Sequence, residues 1–195
     1  MNIRLPDGAA LAIADGATAS DVAKKIGAGL ARAALAARVN GQLVDLSSPL
    51  SENDSVEIVT FDSPEGKDVF WHSTSHVMAE AVQRHFPDAK LAIGPAIDEG
   101  FYYDFDVERP FTPEDLEKIE KTCAEIAGKD TPFERNVASA DELRASYEKK
   151  GEVYKVELLG DIEGQPTVYS HGTWQDLCRG PHIPSTGRIK AIKLL

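Results

Sequence analysis

Apolar positions in the first sixty or so residues fall in short runs of strand length. Met1 to Leu5 and Ala10 to Ala14 flank Pro6-Asp7-Gly8, a hairpin turn signal. Ser20-Asp-Val-Ala-Lys-Lys-Ile-Gly27 offers a capping serine, Val22 and Ile26 four apart and a terminal glycine, which predicts a short helix. Ala37 to Val39 and Leu43 to Leu46 flank Asn40-Gly41, the favoured pair for a type I′ hairpin, and Val56 to Thr60 supplies a last strand. Further on, Val69 to Val82 runs without a breaker and reads as a helix. Gly100-Phe-Tyr-Tyr-Asp-Phe-Asp106 alternates aromatics with acids and suits a strand. Thr112 to Gly128 is the clearest helix: Thr112 as cap, Pro113 in first position, Asp115 completing a capping box, and Leu116, Ile119, Cys123 and Ile126 on one stripe. Ser139 to Gly151 reads as another capped helix, with Glu142 three residues after Ser139. Strands are expected at Tyr154 to Leu158 and Thr167 to Ser170.

The order strand, strand, helix, strands fits a ubiquitin-like β-grasp module over residues 1–61. Asp62-Ser-Pro-Glu-Gly-Lys-Asp68 is polar and reads as a linker. Residues 62–195 form the second domain, and the whole chain is α+β, with helices of the second domain set against an antiparallel sheet. There are no internal repeats and no low-complexity segments. Its 195 residues suffice for two small cores. No apolar run reaches the roughly 18 residues of a membrane span, and the start lacks a signal-peptide h-region. Two distant cysteines suit a reducing compartment, so the expectation is a cytoplasmic protein without membrane association.

Chemistry concentrates in two places. His72-Ser-Thr-Ser-His76 puts two imidazoles on one helix face, and Asp176-Leu-Cys178-Arg-Gly-Pro-His182 holds one of two cysteines and another histidine around a Gly-Pro turn. His72, His76, Cys178 and His182 are a donor set that zinc would accept. The same groups, with imidazole neutral at pH 7, can instead take a proton from water and orient a substrate. Alternatively the two helix histidines are hydrogen-bonded structural residues. His85 lies roughly 180° round the helix from His76 and is read as a surface or helix-end residue. His171 is placed in a loop and given no role, Cys123 is a core packer, and Trp71 and Phe101 are assigned to the core. One of Tyr102 and Tyr103 is expected to line the site. A net charge of −11 argues against a general nucleic-acid binder. Locally the balance turns, with Arg179, Arg188, Lys190 and Lys193 against Asp176 alone after His171.

At these residues the chain resembles the amino-terminal part of bacterial threonyl-tRNA synthetases, over essentially its whole length. The resemblance rests on the His72/His76 helix, Ile93-Gly-Pro, Gly100-Phe-Tyr-Tyr-Asp104, Gly151-Glu-Val-Tyr-Lys-Val156 and Asp176-Leu-Cys-Arg-Gly-Pro-His182. In the first 61 residues, Val39-Asn-Gly-Gln-Leu-Val-Asp-Leu46 resembles the family's TGS module. The resemblance implies an editing domain that hydrolyses serine wrongly esterified to tRNA(Thr). Threonine exceeds serine by one methyl group, worth only about 1–3 kcal/mol of discrimination, so a second, size-excluding site is needed.

Carried over, the family pattern implies that His72, His76, Lys155, Cys178 and His182 are the catalytic residues, with Asp176, Tyr102, Tyr103 and Arg179 toward the substrate. Lys155 would stabilise developing charge, His72 would orient or deprotonate the water, and Asp176 would grip the substrate ammonium. Related alanyl editing proteins bind zinc at this motif whereas the threonyl site works without it, so no cofactor is expected here. ATP, magnesium and zinc belong to the family's catalytic core, whose class II motifs this chain does not contain, so it is not expected to aminoacylate. The family enzyme is a homodimer. The chain is thus expected to be a piece of a longer enzyme, its second domain cut short at the C-terminal end, rather than a free-standing relative. The competing readings are a zinc-dependent small-molecule hydrolase and a non-catalytic binding module.

Overall fold

The computed structural model describes residues 1–195. Its contacts separate one unit, Met1–Phe70 with Gly180–Pro184, from a second, Trp71–Arg179 with Ser185–Leu195. In the first unit β1 (Asn2–Arg4) and β2 (Ala10–Ala12) pair antiparallel, with Gly8 at φ 84° in the turn between them. Helix α1 (Ala19–Ile26) begins at Thr18 rather than Ser20. The carboxylate of Asp21, three residues past Thr18, accepts the Thr18 N–H at 3.0 Å, whereas the Ser20 N–H is already taken by the Leu46 carbonyl at 2.8 Å. A short α2 (Ala28–Ala33) leads into β3 (Ala34–Val39), β4 (Gln42–Val44) and β5 (Val56–Thr60), in the antiparallel order β4-β3-β5. Asn40 and Gly41 both have positive φ, 50° and 86°, as a type I′ turn demands. A parallel bridge between Arg4 and Ser55 sets β1 alongside the start of β5, which completes the β-grasp arrangement.

The core of this unit is apolar throughout. Val22 of α1 packs with Ile3, Ile13, Leu50 and Val56, while Ala19 and Ala23 meet Ala34, Ala37 and Leu46. The segment read as a linker is different: from Pro64 onward it is the first part of helix α3 (Pro64–His85). Gly66 is required there, because a Cβ would come within 1.8 Å of the Thr60 carbonyl oxygen. Pro at the first helical position and a glycine that admits a close backbone approach are both compatible with helix, which is why a polar Pro-Gly stretch misleads.

In the second unit, α3 is followed by two small antiparallel pairs. Strand β6 (Lys90–Leu91) pairs with β9 (Phe105–Asp106), and β7 (Ala96–Ile97) pairs with β8 (Gly100–Phe101). The expected strand over residues 100–106 is therefore interrupted at Tyr102 to Asp104, where the chain passes from one pair to the other. Helix α4 (Pro113–Gly128) has the expected cap, with Thr112 accepting from the Asp115 N–H, and buries Ile119, Cys123 and Ile126. Then come β10 (Phe133–Val137), α5 (Ala140–Lys150), α6 (Val153–Gly160), β11 (Thr167–His171) and β12 (Trp174–Leu177), with the antiparallel order β10-β11-β12.

Helix α6 replaces the strand expected at Tyr154 to Leu158, since its buried residues Lys155 and Leu159 stand four apart on one helical face. Leu143 and Tyr147 of α5 and Leu159 of α6 pack on Val168, with Leu177 against the same cluster. His171 is in β11, not a loop. Trp71 and Phe101, assigned to the core, are half-buried. No helix is long and apolar enough to cross a membrane.

Candidate active site

The β11–β12 hairpin turns at Gly172 (φ 64°), with His171 opposite Trp174 and Tyr169 opposite Asp176. Alternation along the strands places Tyr169, His171, Trp174 and Asp176 on one sheet face and Val168 and Leu177 on the other. The second face is the apolar one, against α5 and α6. The first meets helix α3, on which His72, His76, Glu80 and Gln83 recur at spacings of four, four and three and form one stripe. Trp174 donates its indole N–H to Gln83 Oε1 at 2.8 Å, and Nδ1 of His171 lies 3.1 Å from Glu80 Oε2. Glu80 and Gln83 went unremarked in the sequence, although the same spacing that picks out the two histidines continues through them.

Within the second unit, His72, His76 and Cys178 are drawn together. Nε2 of His72 lies 3.3 Å from Sγ of Cys178, and the two imidazoles meet edge to face at 5.0 Å. Burial disfavours the imidazolium and is the main reason His72 has a lowered pKa. The Asp176 charge opposes that shift, and Lys155 adds to it. His72 is therefore a neutral imidazole at pH 7. Cys178 is half-buried, whereas Cys123 is enclosed on the apolar stripe of α4, where burial pushes its thiol up to about 12.

Lys155, from α6, is buried and donates to Asp176 Oδ2 at 2.8 Å, with the Ala92 carbonyl 3.4 Å away. Tyr103 donates to the same carboxylate oxygen at 3.2 Å, and the Leu177 N–H donates to the other at 2.8 Å. Burial, the Asp176 charge and that hydrogen bond raise the Tyr103 pKa well above the usual phenol range, so it stays a donor. Gly94 fits the same cluster: a Cβ there would fall 2.2 Å from the Tyr103 ring. Its carbonyl lies 3.1 Å from Ser75 Oγ on α3, which gives the Ile93-Gly-Pro stretch a structural reason.

Of the two tyrosines, Tyr103 faces Asp176 and Tyr102 is exposed, as is Arg179. His182 belongs to the Gly180–Pro184 segment of the first unit, where it is buried and its N–H donates to Asp45 at 2.9 Å. His85, the last residue of α3, is exposed, with Nε2 2.8 Å from Thr122 Oγ1. Of the basic C-terminal stretch, Lys193 pairs with Glu120 at 2.8 Å and Lys190 donates to the Gly187 carbonyl.

Comparison with known proteins gives a consistent picture. Residues 1–60 match the TGS domain, and residues 167–195 match the threonyl and alanyl tRNA synthetase second additional domain. Over its full length the chain is 54% identical to a threonine–tRNA ligase of Pelobacter propionicus, 52% to one of Geobacter sp. strain M21 and 49% to one of Burkholderia multivorans. It spans 31% of the length of each of these relatives.

Proposed function

Because the chain corresponds throughout to the amino-terminal region of threonine–tRNA ligases, we propose that it is the proofreading part of such an enzyme. Its second unit hydrolyses serine from tRNA(Thr) that has been charged with the wrong amino acid. The observation that carries this reading is a buried ammonium beside a neutral imidazole and a thiol, assembled from three separate stretches of chain. Ordinary core packing does not bury Lys155 and Asp176 together, since the desolvation of both charges opposes it. A site that must meet developing negative charge has a use for that cation.

When water attacks the ester carbonyl, the carbonyl oxygen becomes anionic and the ribose oxygen leaves. Lys155, held by Asp176, supplies positive charge without having to be reorganised. His72 is already neutral and can take the proton of the attacking water or fix its orientation. Asp176 carries Lys155, Tyr103 and the Leu177 N–H, so its first task is to hold the cation. A substrate ammonium would have to join that set. Exposed Arg179 lies toward the phosphates of the acceptor end in this reading.

The test is a deacylation assay with seryl- and threonyl-tRNA(Thr). Serine should be released faster, and equal rates at saturating enzyme would remove the size-excluding pocket. A zinc-dependent hydrolase is the alternative that the donors raise. His72, His76 and Cys178 offer two nitrogens and a sulfur within 4.8 Å of one another, chemistry that suits the ion. Zinc would need them at about 2.0–2.3 Å from a common centre. Stoichiometric zinc retained through dialysis would favour that alternative.

A further inference from the structure

One turn beyond His76, helix α3 carries a second imidazole partner that the mechanism above does not use. Glu80 is buried, its Oε2 faces Nδ1 of His171 at 3.1 Å, and its Oε1 accepts from Arg84 Nε at 3.1 Å. Burial opposes the charge of Glu80, but these hydrogen bonds outweigh it and hold the carboxyl below its usual range. A carboxylate only accepts, so Nδ1 of His171 carries the hydrogen and the ring orientation is set. Its Nε2 is buried without a partner.

The ring of His171 lies between Phe133, 4.9 Å away, and Trp174, 5.1 Å away. Trp174 in turn meets His76 edge to face at 5.5 Å, and His76 meets His72 at 5.0 Å. The result is a row of four rings, His171, Trp174, His76 and His72. It is fixed at one end by a carboxylate and in the middle by the bond from Trp174 to Gln83.

We propose that Trp174 is a positioning residue for His76 and, through it, for His72, with the Glu80–His171 pair as its backstop. Apolar side chains would fill the same volume without burying a carboxylate and an imidazole, so this arrangement is costly as packing alone. It makes sense where ring orientation matters. An imidazole with a free face can rotate among χ2 settings, whereas one held edge to face cannot, and a misplacement of about 1 Å at a reacting group costs up to roughly a hundredfold in rate. The inference rests on the editing reading only for its rate measurement.

The experiment follows the ring signals of His76 by NMR in the full chain with labelled histidine, assigned by their loss in His76→Asn. Trp174→Leu should shift and broaden the His76 signals and lower kcat on seryl-tRNA(Thr) by roughly ten- to a hundredfold with KM unchanged. Trp174→Phe keeps a ring but not the N–H, and should bring both back toward wild type. Unchanged His76 signals in folded Trp174→Leu would overturn the proposal, as would a failure of Trp174→Phe to restore them. Should Trp174→Leu not fold, Trp174→Met removes the ring while a longer, more adaptable side chain fills its place. The same signals must then move, and their constancy would overturn the proposal equally. A wild-type chain with no deacylase activity ends the editing reading while the spectra still decide the positioning one.

Discussion

In the first unit the ion pairs lie outside, as with Lys24–Asp21 at 3.2 Å, whose side chains are 65% and 48% exposed. In the second, Lys155–Asp176 at 2.8 Å is 4% and 5% exposed, and His171–Glu80 is as deeply enclosed. The first unit is held by an apolar core, and its charges remain in water, where a pair contributes little. The second takes ionised groups out of water and satisfies them with several hydrogen bonds each. That arrangement gives no net advantage in stability over apolar residues of the same shape. Its value lies in what a fixed, dehydrated charge can do to a substrate. The comparison teaches where to look for function: at the unit whose interior is electrostatically expensive.

The largest effect should come from breaking the buried pair on one side. Lys155→Ala leaves Asp176 charged and enclosed, which should cost about 3–5 kcal/mol in urea unfolding. Combining Lys155→Met with Asp176→Leu should recover most of that stability while deacylation stays lost. If the double variant remained as unstable as the single one, the pair would be structural, and the contrast between the units would fail.

Next in size is the apolar core of the first unit. Ile3→Ala, at a fully buried position, should cost about 2–5 kcal/mol by the same measurement. Seryl-tRNA(Thr) hydrolysis under native conditions should be unaffected, since His72, Lys155 and Cys178 belong to the second unit.

A smaller, pH-dependent effect comes from His72. Its folded pKa lies below the ordinary 6.5, so on acidification the unfolded chain binds a proton that the folded chain refuses. Stability is unaffected by this group above that ordinary value and falls as pH drops toward the depressed one, with a slope of at most about 1.4 kcal/mol per pH unit. His72→Gln should flatten this part of the stability profile, and an unchanged profile would show that His72 is not held neutral.

The smallest effect should be Lys24→Ala. Removing one partner of an exposed i, i+3 pair should change unfolding by under about 0.5 kcal/mol, and less at high salt. A loss approaching that of Lys155→Ala would erase the distinction between the two kinds of ion pair.

Local signals in the sequence reached far into the fold. The Asn40-Gly41 hairpin, the cap at Thr112 and the stripe through Cys123 are each written within a few neighbouring residues, and each appears as read. The failures are equally physical. Tyr154-Lys-Val-Glu-Leu158 alternates apolar and charged residues as an exposed strand would, yet it lies in α6. The charge that made the alternation look half-exposed is buried, because Asp176 accepts it. His171 looked like a loop residue before a glycine, while its partner Glu80 lies on a different element. Short apolar runs carry too little periodicity to decide between helix and strand when the burial of a charge depends on a distant partner.

By itself, the sequence determined the β-grasp order of the first unit, the α+β character of the second and the residue types available for chemistry. Turns, caps and amphipathic stripes are set by interactions among near neighbours. Only the tertiary structure decided which of those residues act together: that Tyr103 rather than Tyr102 reaches Asp176, that Lys155 is sealed against Asp176, and that Trp174 stands between His171 and His76. Each of these joins residues far apart in the chain, and the desolvation that neutralises His72 or makes the Lys155 charge effective exists only once the intervening elements have excluded water.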